Sequence, residues 1–281
     1  CVLVIIPFVA ERAVPGDMLY AVKVQFNEEI RSNLTFDSFE KVEWETERLN
    51  RRIAEARLLA SEGRLTEEAE AEVAEAVRTH SANAKREIEA LRTQDSDAAT
   101  IASIELDTTL EVQSSALRNE DEVAAAMQTT STPTSNKSIN LIATAIDESR
   151  GDDNSATATS TLPSYEKLLP RIEQNTTRIY ELTQSLDGIV PANDLDNVKR
   201  RSEDINRALE VAMANYATDE VLARQQLVDV LQRTQKLIVF ISEIEVRETV
   251  DIETIIPVVL TAEEIEAEKV RTQTGLQAKL V

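Results

Sequence analysis

The side chains that most often carry out chemistry are scarce in this chain. It has one histidine, His80, and one cysteine, Cys1. A lone cysteine leaves no intramolecular disulfide, and a lone histidine leaves out most zinc sites and acid–base triads. The spacing of His80 from Val77, Ala84 and Ile88 sets it on or beside the apolar stripe of a helix. We read it as a packing or boundary residue, with pH sensing as the sharper alternative. A thiol–imidazole dyad is not expected, because Cys1 opens an apolar run remote from that helix.

Carboxylates are plentiful, so pairs of them carry little information. Glu43/Glu45/Glu47 and Glu67/Glu70/Glu72 read as solvated helix faces. The neighbouring Arg48, Arg51, Arg52 and Arg57 are placed for i,i+4 ion pairs along the helix, worth about 0.3–0.5 kcal/mol each. No glycine-rich phosphate loop exists in a chain with 5 Gly. Asp147–Asp153 faintly resembles a calcium loop but lacks its alternating acids and closing glutamate. Trp44 reads as a structural anchor, with a binding-surface aromatic as the alternative. Asn33, Asn136 and Asn175 open glycosylation tripeptides, which matter only in a eukaryotic secreted chain. No catalytic, cofactor-binding or metal-ligating residue is assigned, no cofactor is expected, and the chain reads as a non-enzyme.

The composition points the same way. Of 281 residues, 30 are Lys or Arg and 51 are Asp or Glu, a formal charge of −21. Such a surface repels phosphate, so general nucleic-acid binding is not expected. With 42% hydrophobic residues the chain can bury a core, and its low Gly, Pro and aromatic content is that of long helices.

The elements follow from periodicity. Leu19, Val22, Phe26 and Ile30 form one stripe over 18–33. Asp37-Ser-Phe-Glu40 has capping-box spacing and leads into a heptad-like seam of Phe39, Val42, Thr46, Leu49, Ile53, Ala56 and Ala60, which Gly63 stops. Thr66 opens the next helix, with Val73, Val77, His80, Ala84, Ile88 and Leu91. Another begins at Asp95–Asp97 and runs to about Met127. Ile139, Ile142, Ala145 and Ile146 suffice for a short amphipathic helix that could dock on these. Three more helices follow over 164–247, with Pro170 near the start of the first of them. Beyond Arg247, Val250–Leu260 reads as extended, and Thr261-Ala-Glu-Glu264 starts a last polar helix.

The expected fold is all-α: two antiparallel helical bundles joined by a flexible linker, with a short extended C-terminal segment. The division is an apolar segment at 1–14, a bundle at 15–149, a linker at 150–162, a second bundle at 163–248, and an arm with a short helix at 249–281. Such local connections build bundles.

Residues 1–10 are apolar without a break, half of what a membrane-crossing helix needs. Three readings fit: the tail of a transmembrane or signal segment, a lipidated Cys1, or an arm packed on the protein or on a neighbouring subunit. After this run, Pro15-Gly-Asp-Met-Leu-Tyr-Ala-Val-Lys23 resembles the P-G-D-x-L-Y-x-x-K signature of a bacterial family of unknown function. Asn27–Arg31, Lys41–Glu45, Arg51–Ala56 and Glu62–Thr66 are similar to versions from small uncultivated lineages. The resemblance covers about residues 5–120. It implies an extracytoplasmic helical domain tethered to the cell membrane, and it brings no catalytic residues.

The expected function is therefore a non-catalytic, membrane-tethered protein of the bacterial envelope, acting through a protein partner or as a homo-oligomer. The alternative is an extracytoplasmic ligand- or metal-sensing module of a membrane-bound regulator.

Overall fold

The computed structural model describes residues 37–127, 139–151 and 162–250. The apolar run at 1–10, the motif at 15–23 and the helix expected over 18–33 lie outside the described residues. So do the extended segment after Val250, the helix from Thr261, and residues 128–138 and 152–161.

The described chain is all-helical. Its elements are α1 (Ser38–Ser61), α2 (Glu67–Arg92), α3 (Ser96–Met127), α4 (Asn140–Gly151), α5 (Tyr165–Ser185), α6 (Ala192–Asn215) and α7 (Glu220–Thr249). Four starts are capped as helix-capping chemistry requires, each side chain taking a free N–H group of the first turn. Asp37 accepts from Phe39 N, Thr66 from Ala69 N, Asp95 from Ala98 N and Asp219 from Leu222 N. The α1 seam ends at Gly63, whose φ of 67° lets Arg64 N reach back to Leu59 O at 2.8 Å. Pro170 is a correction to the sequence reading. It stands inside α5, beyond the first turn, so its missing N–H removes the helical hydrogen bond to the Glu166 carbonyl, and both residues are exposed.

Short turns reverse the chain from α1 to α2 to α3 and from α5 to α6 to α7. Side chains give the other directions: α4 runs with α2, as Glu70 meets Leu141 and Lys85 meets Ser149, and α5 runs with α7, as Arg224 meets Pro163 and Asn175 meets Thr234. Glu43, Glu105 and Arg171 meet at one level, and Asn50, Gln113 and Glu243 at another. Around α1 to α4 closes one apolar cluster, with Leu49, Ile53, Val77, Leu106, Leu110, Ile142 and Ile146 buried. Around α5 to α7 closes another, with Leu168, Ile172, Ile205, Leu227, Leu231 and Ile241.

The clusters interlock. Val246 and Val250, at the end of α7, belong to the first, and Ile101 of α3 belongs to the second. Helix α7 packs on α5 and α6 and also on α1 and α3. The two sides of the 152–161 segment are thus one packed body. Helix α4 docks on α2 and α3 through Ile142, Ala145 and Ile146.

Candidate functional site

The densest convergence of polar groups lies where α1, α3, α5 and α7 run side by side. It arises from polar residues standing at apolar-stripe positions. In α5 the stripe reads Leu168, Ile172, Asn175, Ile179, and in α7 it reads Leu227, Leu231, Thr234, Ile238, Ile241. Asn175 and Thr234 occupy core slots of a heptad-like seam and face each other, Nδ2 to Oγ1, at 3.3 Å. Helix α3 has two buried faces. One is apolar, and the other carries Glu105, Thr109 and Gln113, each at most 4% exposed.

Arg171 is the centre of this layer. Its Nε and Nη2 donate to the two oxygens of Glu105 at 2.7 and 2.8 Å, and Nη2 also reaches Glu43 at 2.7 Å. Its guanidinium lies 4.6 Å from the centroid of the Phe39 ring. Burial disfavours the charge on Arg171, but Glu105 and Glu43 outweigh it and hold the pKa above the ordinary arginine value. Asn175 donates to Glu105 at 2.8 Å, and Gln235 donates to Thr109 at 2.9 Å. One level further along, Gln113 donates to Asn50 and Glu243, and Arg57 also binds Glu243.

A small cleft of about 50 Å³ opens beside this layer. Glu43, Glu47, Glu105 and Glu245 line it together with Arg171 and Arg178. Arg178 lies 3.1 Å from Glu47 and 3.6 Å from Glu43. The arrangement fixes charges against one another. It holds α5 and α7 in register on α1 and α3.

These placements correct the reading of Glu43, Glu45 and Glu70 as solvated, while Glu67 and Glu72 are exposed as expected. Glu43 is half-buried under Arg171, and Glu45 binds His80. Glu70, 4% exposed, accepts from Leu141 N at 2.7 Å and caps α4 from a neighbouring helix. His80 is itself 6% exposed, and its Nδ1 lies 2.6 Å from Glu45 Oε2. A carboxylate only accepts, so the neutral ring donates from Nδ1. Burial lowers the His80 pKa, with the nearby Arg48 and Arg52 charges adding to the effect and Glu45 opposing it.

Trp44 is half-buried, with the Arg48 guanidinium 6.0 Å from its ring centroid. Asp147 accepts from Ser114 and Arg118, and Glu148 from Arg78, so these acids of the calcium-like stretch bind protein cations and hydroxyls. Asn175 is fully buried and cannot serve as a glycan acceptor in the folded chain. Cys1 and Asp152–Asp153 lie outside the described residues. Among the described residues no group of three or more His, Cys, Asp or Glu is arranged to hold a metal ion. Nor is any described helix long and apolar enough to cross a membrane.

Sequence reasoning missed Arg171, Glu105, Asn175 and their partners. A signal was present, since Asn175 and Thr234 each interrupt an otherwise apolar heptad pattern. Nothing in the sequence says which polar residue of another helix meets which interruption.

Residues 12–133 match a family described as a domain of unknown function, DUF5667. The matched stretch includes α1, α2 and α3 and stops short of α4. No curated protein and no solved structure matches the chain.

Proposed function

We propose that this protein acts by association and not by catalysis, as a membrane-tethered, extracytoplasmic protein of the bacterial envelope. The observation that carries this reading is how the chain uses its best polar cluster. Arg171, Glu105, Glu43, Arg178 and Glu47 pair with one another between helices, a use suited to joining helices. The three described helices within the match are covered on one side by α4 and on another by α5 and α7, so their surfaces serve as helix-receiving faces. Tethering draws on the apolar run at residues 1–10 and the signature at 15–23.

The test is light scattering after size-exclusion chromatography, with co-sedimentation on zwitterionic lipid vesicles, for the intact chain and for Leu3→Asp/Ile5→Asp. The intact chain is expected to self-associate or to pellet with vesicles, and the variant to do neither. An intact chain that stays monomeric and vesicle-free at high concentration overturns the reading.

The cleft supports a second reading, a module sensing a cationic ligand, because four carboxylates and two guanidinium groups line it. Polyamine titration is then expected to raise the melting temperature. A flat response to saturating spermidine removes this alternative.

A further inference from the structure

Helix α4 is held by α2 and α3 in a way that reads both its ends. At its start, the Glu70 carboxylate takes the Leu141 N–H; at its finish, the Lys85 ammonium donates to the Ser149 carbonyl at 2.5 Å. An anion at the N-terminus and a cation at the C-terminus match the helix dipole, so the groove accepts the helix in one direction only. Between the ends, Ile139, Ile142, Ala145 and Ile146 fill the apolar floor. On the flanks, Arg78 binds Glu148 at 2.8 Å and Arg118 binds Asp147 at 3.1 Å. This is helix-in-groove recognition, with apolar anchors at helical spacing and a polar frame that fixes polarity.

A helix of 12 residues has little stability of its own in water and takes its helicity from the groove. The groove itself is made by helices of the matched domain, whereas α4 lies outside the match.

We propose that α4 is an exchangeable element: the α2–α3 groove of one copy of this chain takes up α4 of a second copy. The exchanged pair makes the contacts already described and needs no new surface, which makes such swaps a low-cost route to dimers. Fully extended, residues 128–138 and 152–161 could span roughly 33–40 Å each, which sets the greatest distance between two grooves that an exchange can bridge. In the parent chain the tethered α4 competes at an effective concentration on the order of millimolar, so exchange is favoured by crowding on a surface. This inference rests on the association reading above and gives it a specific contact.

The test uses charge reversal in the full chain. One variant, Arg78→Glu/Arg118→Glu, repels its own α4. The other, Asp147→Arg/Glu148→Arg, is repelled by its own groove. Each is destabilised alone, yet in an exchanged heterodimer every flank pair is attractive again. Mixing the two at micromolar concentration is expected to give a one-to-one heterodimer by native mass spectrometry, at least tenfold over either homodimer. A chain carrying all four substitutions restores pairing within itself and is expected to be folded and to gain no heterodimer partner. If that chain is folded while the mixed variants yield no heterodimer, exchange is overturned. Association of the parent chain, measured alongside, separates the two readings. Parent assembly or vesicle binding without heterodimers sinks only the exchange, whereas a parent chain that dimerises with its own kind, gives heterodimers, yet binds no vesicle and is unchanged by Leu3→Asp/Ile5→Asp sinks only the tethered function.

Discussion

Arg171 and Glu105 form a bidentate pair with both side chains 6% exposed, and the two residues come from helices on opposite sides of the 152–161 segment. Each partner reaches the other across a boundary between two apolar clusters. A guanidinium fork on a carboxylate fixes distance and angle together, which a greasy contact does not. The pair therefore sets how α5 sits on α3, and Glu43 extends the same constraint to α1. Taking charges out of water is itself costly, so such a layer is not what maximal stability would select. Register, more than stability, is what this layer supplies.

Removing one partner tests that account. Arg171→Met strands the Glu105 carboxylate in the interior and is expected to destabilise the fold by about 3–5 kcal/mol. Arg171→Met/Glu105→Leu removes both charges and is expected to recover most of the loss. Urea unfolding followed by circular dichroism reads both. A double variant as unstable as the single one would mean that packing around Arg171, and not its charge pairing, is what matters.

The same layer shows where sequence reading stopped. Helix identity and facing were legible because apolar spacing and capping residues are local: the seam from Val42 to Ala56 and the caps at Asp37 and Thr66 were all read from the chain. The partners of Asn175, Glu105 and Glu70 were not. They depend on which helices become neighbours across long sequence separations, as with Glu43 and Arg171. Glu43 and Glu70 were misplaced for a related reason. A carboxylate on a charged helix looks solvated until a neighbouring helix covers it.

Gly63 offers a local test. Its φ of 67° lies in the left-handed region, and an added Cβ meets nothing within 4 Å. Gly63→Ala therefore carries a backbone cost without a clash, about 1–2 kcal/mol. Gly151 has the same open surroundings without the positive φ. Gly151→Ala is expected to be neutral or slightly stabilising in the same thermal melts. Equal melting temperatures for the two variants would contradict the assignment of the cost to φ.

The capping of α4 by Glu70 predicts a local effect. Glu70→Ala removes the carboxylate that accepts the Leu141 N–H and is expected to weaken α4 by about 1 kcal/mol. Amide exchange over residues 141–150 should then quicken about fivefold, while α5 to α7 exchange as before. Glu70→Gln keeps an acceptor oxygen and should retain part of the protection. Uniform acceleration along the whole chain would show that α4 does not open separately.

His80 gives the pH dependence, and its sign follows from its surroundings. Glu45 accepts from the ring, while Arg48 and Arg52 stand nearby as fixed positive charges, and burial is the largest influence. The folded pKa is therefore below the ordinary 6.5 that the unfolded chain keeps. Below pH 6.5 the unfolded state binds the proton more readily, so the His80 contribution falls as pH falls and levels off beneath the folded pKa. Urea midpoints between pH 8 and pH 5 should decline more in the parent chain than in His80→Gln, whose amide can still donate to Glu45 but does not titrate. As the sole imidazole in the chain, His80 can also be followed directly by NMR, and its resonances should move below pH 6.5. A midpoint at or above 6.5, or parallel stability profiles for the two proteins, would show that burial does not govern this histidine.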